Sequence, residues 1–304
     1  MAACRRLPRR PVWDALRVSD GSGEVSVRYR RADGVVEDVP LERVVVEDVA
    51  AGLPVREFRS YKGRVHYSGW YWAATTGRHV VYESRLELAR IMLADHDAGV
   101  VGIAAQPFQL RGPDGRRMRR HVPDVLLTHA DGTVRVVDVK APSRLDAPDV
   151  IAQFEWTRRV CDRQGWAFEV WSGADAVVLE NVRFLAGYRR PAVIASELIE
   201  PVLRAAAGQA SLAEIELALA EVTGRGQGAA GGGLVRPVVL HLLWTGRLVT
   251  DLRVLLSRDT LVRPANLLGA AHPVADLPVL GLPRLSRLGG LSGELRLRAG
   301  VGAG

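Results

Sequence analysis

The segment from Val125 to Val139 constrains the fold more than any other part of the chain. Its two halves are rich in apolar and β-branched residues, and Ala130-Asp131-Gly132 separates them. Strand-like runs on either side of an Asp-Gly pair are typical of a β-hairpin. We predict a three-residue loop centred on Asp131, with Gly132 as the left-handed residue of a bulged turn.

This loop fixes which residues face each other. A hairpin centred on Asp131 opposes residues whose numbers sum to 262, and the pair Asp124 and Asp138 satisfies that condition. Lys140 shares their face because side chains alternate along a strand. A two-residue Asp131-Gly132 turn would instead place the two aspartates on opposite faces. The three-residue loop therefore predicts that two carboxylates and an ammonium converge.

Opposed carboxylates on an apolar sheet repel each other and lose solvation, so the arrangement is unfavourable unless a cation is present. A ligand set of oxygens without clustered histidines or cysteines favours Mg²⁺, with Mn²⁺ possible, over zinc. The structural alternative is that Asp138 and Lys140 form a salt bridge at a strand end.

Lysine is nearly absent from this chain, which makes Lys140 conspicuous. Of 41 basic residues only Lys62 and Lys140 are lysine. Arginine is a poor substitute where a compact ammonium must contact a phosphate and a water, because the guanidinium is larger and never deprotonates. The residue type indicates that Lys140 has a chemical role.

Composition narrows the class of partner. The 304 residues carry a formal charge of +7 and a pI near 10, and no apolar run reaches the length of a membrane span. This favours nucleic acid over a membrane, although an arginine-rich codon bias would raise the pI without any partner.

Cys4 and Cys161 form no Cys-x-x-Cys pair, so neither a disulfide framework nor a zinc site is indicated. With no apolar stretch after the N-terminal arginine pairs, we expect a cytoplasmic protein, associated with the nucleoid when bound to DNA.

The element pattern predicts an α/β fold with a mixed sheet in the middle of the chain. We expect an aromatic loop at Trp70 to Trp72, a helix from Arg85 to Asp95, three strands near 100–111, 116–128 and 133–140, a helix from Ala147 to Gln164 and a strand from Ala167 to Trp171. The predicted domains are a basic leader with a small β-hairpin module (1–57), an α/β core (58–190), a winged-helix-like domain (191–263) and a largely disordered tail (264–304).

A run of basic residues leads directly into Asp124 and is a candidate for contacts with DNA phosphates. The run comprises Arg111, Arg116, Arg117, Arg119, Arg120 and His121. The alternative is a hairpin edge that its charges protect from aggregation. The aromatic residues at 70–72 are expected to fill a core more often than to stack on bases.

These motifs resemble the PD-(D/E)XK nuclease superfamily, through Pro123-Asp124 and Asp138-Val139-Lys140. Additional segments resemble the TnsA endonuclease subunit of heteromeric transposases: Thr76-Gly77-Arg78-His79, Ser84-Arg85-Leu86-Glu87-Leu88-Ala89, Gln106-Pro107-Phe108 and Val139-Lys140-Ala141-Pro142. The resemblance covers roughly residues 58–188. It departs from the TnsA pattern at Asp138, where glutamine is usual, although aspartate is normal in the wider superfamily.

The resemblance implies a restriction-endonuclease-like core in which Glu87, Asp124 and Asp138 hold Mg²⁺ and Lys140 completes the catalytic set. It also implies hydrolysis of double-stranded DNA at the 5′ ends of a mobile element, with a DDE-type transposase subunit and an AAA+ ATPase regulator as partners. Glu83 competes with Glu87, being one helical turn earlier. Ser84-x-x-Glu87 is also a capping box, in which Glu87 would only close the helix start.

Two other functions remain open from the sequence. One is a stand-alone PD-(D/E)XK restriction or repair nuclease, and the other is a non-catalytic DNA-binding regulator. The helices after Val193 carry few basic residues against Glu197, Glu200, Glu214, Glu216 and Glu221. An acidic face favours docking onto a protein over reading a DNA groove.

Overall fold

The structure, a computed structural model, describes residues 24–56, 67–220 and 233–265. Several sequence predictions lie outside these ranges: the basic leader, Cys4, Lys62, Glu221, most of the glycine-rich break and the tail beyond residue 265.

A mixed four-stranded sheet forms the centre of the chain, as predicted. Its strand order is β10-β9-β8-β5; β10 is parallel to β9, and the other two pairs are antiparallel. The strands are β5 (Val100–Ala105), β8 (Val125–His129), β9 (Val134–Val139) and β10 (Ala167–Trp171).

A second four-stranded sheet has the order β2-β1-β6-β7. Its strands are β1 (Ser26–Arg30), β2 (Val36–Pro40), β6 (Phe108–Asp114) and β7 (Arg117–His121). The predicted N-terminal hairpin is confirmed, with Gly34 at φ 87° in its turn. Because β1 also pairs with β6, this hairpin is part of a larger sheet.

Two chain segments pass from one sheet to the other at a common corner. The predicted continuous strands 100–111 and 116–128 are wrong: each divides in two, at Gln106-Pro107 and at Val122-Pro123-Asp124. Proline cannot donate to a ladder, which ends regular pairing at both places. At the corner the Gln106 N–H donates to the Asp124 carbonyl oxygen at 2.8 Å. The corner therefore brings Asp124 next to the β5–β6 junction.

The aromatic segment is a strand, so the predicted loop is wrong. β3 (Gly69–Ala73) pairs with β4 (Arg78–Tyr82), and Gly77 at φ 62° closes the hairpin. Because side chains alternate along a strand, the aromatic residues face opposite sides: Trp70 is 66% exposed and Tyr71 is 7% exposed. The buried Asp95 carboxylate accepts hydrogen bonds from the Tyr71 hydroxyl and from the backbone N–H groups of Ala74 and Thr75, which fixes the hairpin on the following helix.

Helices cover both faces of the central sheet. They are α1 (Val46–Ala51), α2 (Arg85–His96), α3 (Pro148–Arg163) and α4 (Ala176–Leu185). Alternation along β9 divides its side chains: Val137 and Val139 pack in the cluster with α2 and α4, while Val136 packs with Trp156 and Cys161 of α3. Asp138 is therefore expected on the α3 side of the sheet.

In its described residues the C-terminal segment adds three α-helices and three short strands. Their order along the chain is α5 (Ile199–Ala205), β11 (Ala210–Ser211), α6 (Leu212–Ala218), α7 (Val235–Trp244), β12 (Leu248–Val249) and β13 (Leu261–Pro264), with the sheet order β11-β13-β12. Buried residues of α7 belong to the same hydrophobic cluster as those of α2, so the segment packs directly on the central region.

Candidate active site

The hairpin between β8 and β9 has the predicted register. Val125 pairs with Val137, Leu126 with Val136 and Leu127 with Arg135, and all of these numbers sum to 262. Gly132 has φ 85°, in the left-handed region that favours glycine. The three-residue loop is thus confirmed, and the two-residue turn is wrong.

Asp124 lies where this ladder ends. Its backbone N–H donates to the Val137 carbonyl at 3.1 Å, so the pairing shifts beyond Val125. Its carboxylate Oδ2 accepts the Val139 N–H at 2.6 Å. The carboxylate of Asp124 is thereby held at the C-terminal end of β9. The residue that holds it, Val139, stands between Asp138 and Lys140 in the sequence.

Electrostatic coupling connects the four predicted catalytic residues. The pKa of Asp124 is raised to about 7, first by burial and then by the negative charges of Asp138 and Glu87. The Val139 N–H and the Lys140 ammonium oppose this rise. Two carboxylates and one ammonium therefore act on the Asp124 carboxyl group, and one added cation would relieve the repulsion.

Asp138 is 2% exposed and is paired with a histidine that lies on the other sheet. The His121 Nε2 lies 2.9 Å from Oδ1 and 2.8 Å from Oδ2 of Asp138. A carboxylate has about four acceptor positions, so this contact leaves room for further donors or a cation. Asp138 is also one cause of the raised pKa of the buried Cys161 thiol, after burial itself.

Glu87 closes the start of α2, as the capping-box alternative predicts. Ser84 Oγ accepts the Glu87 N–H at 3.0 Å, while the Glu87 carboxylate accepts from the Ser84 hydroxyl and from the Glu83 N–H. Burial raises the pKa of Glu87 despite these hydrogen bonds. The cap does not exclude the catalytic role, because the charge of Glu87 also raises the pKa of Asp124. Glu83 has a different contact: its Oε2 accepts from Gln106 Nε2 at 3.1 Å.

Lys140 continues the sheet beyond β9. Its backbone N–H donates to the Trp171 carbonyl at 2.9 Å, and its Nζ lies 6.0 Å from the ring centroid of Phe154 on α3. Among the described residues, the side chain within 3 Å of both Asp138 carboxylate oxygens is that of His121. The strand-end salt bridge between Asp138 and Lys140 is therefore not the arrangement found.

The donor set suits a hard cation, with one restriction. All the candidate ligands offer oxygen, and the buried Oε1 of Gln106 has no hydrogen-bond partner among the described residues. Within residues 24–56, 67–220 and 233–265, however, no three His, Cys, Asp or Glu side chains form a group that could hold a metal ion. The residues fit an ion held by one or two carboxylates and water, which is the usual Mg²⁺ arrangement.

A comparison with models of protein families finds a match to the part of the chain that contains most of these residues. Residues 97–173 match the family model of the TnsA-like endonuclease N terminal. The match confirms the resemblance predicted from the sequence and suggests a nuclease related to transposase subunits. No curated protein matches the chain.

The TnsA-like match includes Gln106, Asp124, Asp138 and Lys140, and it covers about a quarter of the chain. Glu87 and the C-terminal segment lie outside the matched residues. The endonuclease class implies phosphodiester hydrolysis.

The basic run divides into exposed and engaged residues. Arg116, Arg117 and Arg120 are exposed at or near the edge strand β7. Arg119 donates to the Asp114 carboxylate, and Arg111 is partly buried. His121 faces Asp138, so a contact between His121 and DNA remains a prediction that its position does not favour.

Sequence reasoning missed two features of the candidate site. The His121–Asp138 pair joins two sheets, and no spacing rule within one hairpin reveals it. Gln106 has φ 45°, which is rare for a residue other than glycine. The following proline is a signal for the break in the strand but not for this conformation.

No helix within the described residues is long and apolar enough to cross a membrane.

Proposed function

We propose that this protein is the metal-dependent DNA endonuclease subunit of a heteromeric transposase. The observation that carries the proposal is the register of the β8–β9 hairpin, which holds the Asp124 carboxylate on the Val139 N–H, between Asp138 and Lys140 in the sequence, within the TnsA-like match. The substrate would be a phosphodiester at the 5′ end of a mobile element. A DDE-type transposase subunit would process the 3′ ends, and an AAA+ ATPase would regulate the assembly.

Asp124 and Asp138 would be the principal ligands of Mg²⁺, with Mn²⁺ as a substitute. When bound, the ion would polarise a phosphoryl oxygen and lower the pKa of the attacking water. The Val139 N–H donates to Oδ2 of Asp124, so Oδ1 would be the oxygen that faces the ion. His121 orients the Asp138 carboxylate in the same way that outer hydrogen bonds orient metal ligands elsewhere.

Lys140 would stabilise the charge that develops on the phosphoryl group. Its position one residue beyond β9, next to Asp124, suits this role. Exposed Arg116, Arg117 and Arg120 would contact the DNA backbone on the flank of the site. Glu87 would act as a third carboxylate if DNA binding loosens its cap.

The C-terminal segment would be a winged-helix-like docking domain. Its helix-strand-helix-helix-strand-strand order and its three-stranded sheet support this reading. Its acidic residues are partly engaged, since Glu216 pairs with Arg236, Glu200 pairs with Arg247, and Glu214 caps α6. Charge alone is therefore a weaker argument for protein docking than the sequence suggested.

The test is nicking of supercoiled plasmid in Mg²⁺, with and without the partner transposase. We expect Lys140→Ala and Lys140→Arg both to lower the cleavage rate by about 10²–10³-fold, because arginine cannot reproduce the compact ammonium. Arg183→Lys, an exposed change on α4, is the control.

Magnesium-dependent cleavage without any partner would favour the stand-alone nuclease. Absence of cleavage under every condition, with DNA binding retained, would favour the non-catalytic regulator.

A further inference from the structure

The buried side chain of Gln106 has an unsatisfied oxygen at the corner where the two sheets meet. Gln106 is 2% exposed, and its Oε1 has no hydrogen-bond partner among the described residues. Leaving a buried acceptor without a donor costs about 1–3 kcal/mol. Such a group calls for a specific explanation.

The orientation of the amide is fixed by chemistry. Its Nε2 lies 3.1 Å from Oε2 of Glu83, and a carboxylate can only accept there. Turning the amide over would place two oxygens against each other. The NH₂ group therefore faces Glu83, and the carbonyl oxygen is the atom left without a partner.

The backbone holds this amide in an unfavourable conformation. Gln106 has φ 45°, and the left-handed region costs residues other than glycine of the order of 1 kcal/mol or more. Two hydrogen bonds maintain it: the Gln106 N–H donates to the Asp124 carbonyl at 2.8 Å, and the Gln106 carbonyl accepts from Val55 N–H at 3.0 Å. The strained residue is thus fastened to the residue that carries the perturbed carboxylate.

A chain of contacts connects Gln106 to the acidic residues Glu83, Glu87 and Asp124. Gln106 donates to Glu83, the Glu83 N–H donates to Glu87, and Glu87 raises the pKa of Asp124. An amide oxygen in this negative surrounding cannot attract another carboxylate, but it suits a cation or a water molecule that a cation polarises.

We propose that Gln106 is a positioning residue of the cation site: its amide oxygen accepts a hydrogen bond from a water molecule of the bound divalent cation. This inference rests on the proposed function. It explains in one step the buried unpaired oxygen, the strained backbone and the bond to the Asp124 carbonyl. Mg²⁺ retains several waters when protein carboxylates bind it, so such a partner is available.

The experiment is Mn²⁺ binding by isothermal titration calorimetry on the full chain, with thermal unfolding in EDTA measured beside it. Gln106→Met keeps the length of the side chain and removes the amide. We expect Mn²⁺ affinity to fall about 10-fold or more, as for loss of an outer hydrogen-bond partner of a metal. We expect the unfolding temperature in EDTA to change little, because loss of the bond to Glu83 offsets removal of the unpaired oxygen.

Gln209 provides a matched control. It is the other residue besides glycine with positive φ in the described part of the chain, at 64°, and it is exposed. Gln209→Met should leave Mn²⁺ affinity unchanged. Gln106→Asn, which tolerates positive φ and keeps a shorter amide, should bind Mn²⁺ more tightly than Gln106→Met.

The outcomes separate the two proposals. Wild-type affinity in Gln106→Met would overturn the role of Gln106 and leave the nuclease proposal intact. Absence of Mn²⁺ binding by the wild-type protein would overturn both. If Gln106→Met does not fold, Gln106→Gly takes its place, because glycine accepts the positive φ and removes the amide, and wild-type Mn²⁺ affinity in Gln106→Gly would overturn the inference.

Discussion

At the scale of single residues, Asp124 is the central carboxylate of the candidate site. Its side chain combines burial, two neighbouring carboxylates and one nearby ammonium, and its pKa rises to about 7. Perturbed carboxyl groups are concentrated at functional sites because binding a cation or a proton relieves the same repulsion. The TnsA-like match gives that general inference a chemical class.

The raised pKa of Asp124 predicts how stability depends on pH when no divalent cation is present. The native state binds this proton more tightly than the unfolded state, whose pKa is near 3.8, so the contribution to the free energy of unfolding is complete below about pH 4 and is lost as pH rises through about 7. Asp124→Asn should remove this dependence. In EDTA, the unfolding temperature of the wild-type protein should therefore fall relative to that of Asp124→Asn as the pH rises from 4 to 8.

The same experiment with Mg²⁺ provides the control. Cation binding favours the ionised carboxylate, so the wild-type protein should regain stability above pH 7 while Asp124→Asn gains less. Parallel pH profiles for the two proteins in EDTA would contradict the perturbed titration.

At the scale of elements, the β8–β9 hairpin is the feature that sequence reasoning predicts best. Period-two alternation and the Asp131-Gly132 pair are local signals, and local signals fix the register that places Asp124 near Asp138. The prolines beside Gln106 and Asp124 were local signals for the strand breaks that the prediction did not use, and the second sheet was not predicted because its pairing of β1 with β6 is distant in sequence. His121 was assigned to DNA for the same reason.

Gly132 tests this element directly. At φ 85° with nothing within 4 Å of an added Cβ, Gly132→Ala meets no steric contact and only the cost of the left-handed backbone, about 1–2 kcal/mol. Chemical denaturation should show that loss. Gly187→Ala is the control, because Gly187 has equal space and no positive φ, and it should be neutral or slightly stabilising. Equal effects from both substitutions would contradict the turn.

At the scale of the whole molecule, the C-terminal segment is continuous with the core of the central region. His96 Nδ1 lies 3.1 Å from the Trp244 carbonyl, and their rings are 5.1 Å apart. The Asn181 amide donates to the carbonyls of Leu252 and Val254, and its Oδ1 accepts the Leu256 N–H. The boundary predicted near residue 190 marks a change of element pattern, and hydrophobic contacts cross it.

We therefore expect calorimetry to give one cooperative unfolding transition for the described ranges together. Trp244→Ala, at 3% exposed, should cost about 3–5 kcal/mol and lower the stability of the whole unit. Trp70→Ala, at 66% exposed, is the matched control and should have little effect on stability. A separate low-temperature transition that Trp244→Ala alone removes would show that the segment folds independently.

The central claim is that a divalent cation binds at the end of the β8–β9 hairpin. Anomalous scattering from crystals soaked in Mn²⁺ tests it most directly. We predict a peak within coordination distance of carboxylate oxygens of Asp124 and Asp138, and its loss in Asp124→Asn. A fully occupied Mn²⁺ peak elsewhere, with these two carboxylates still bound only to Val139 and His121, would contradict it.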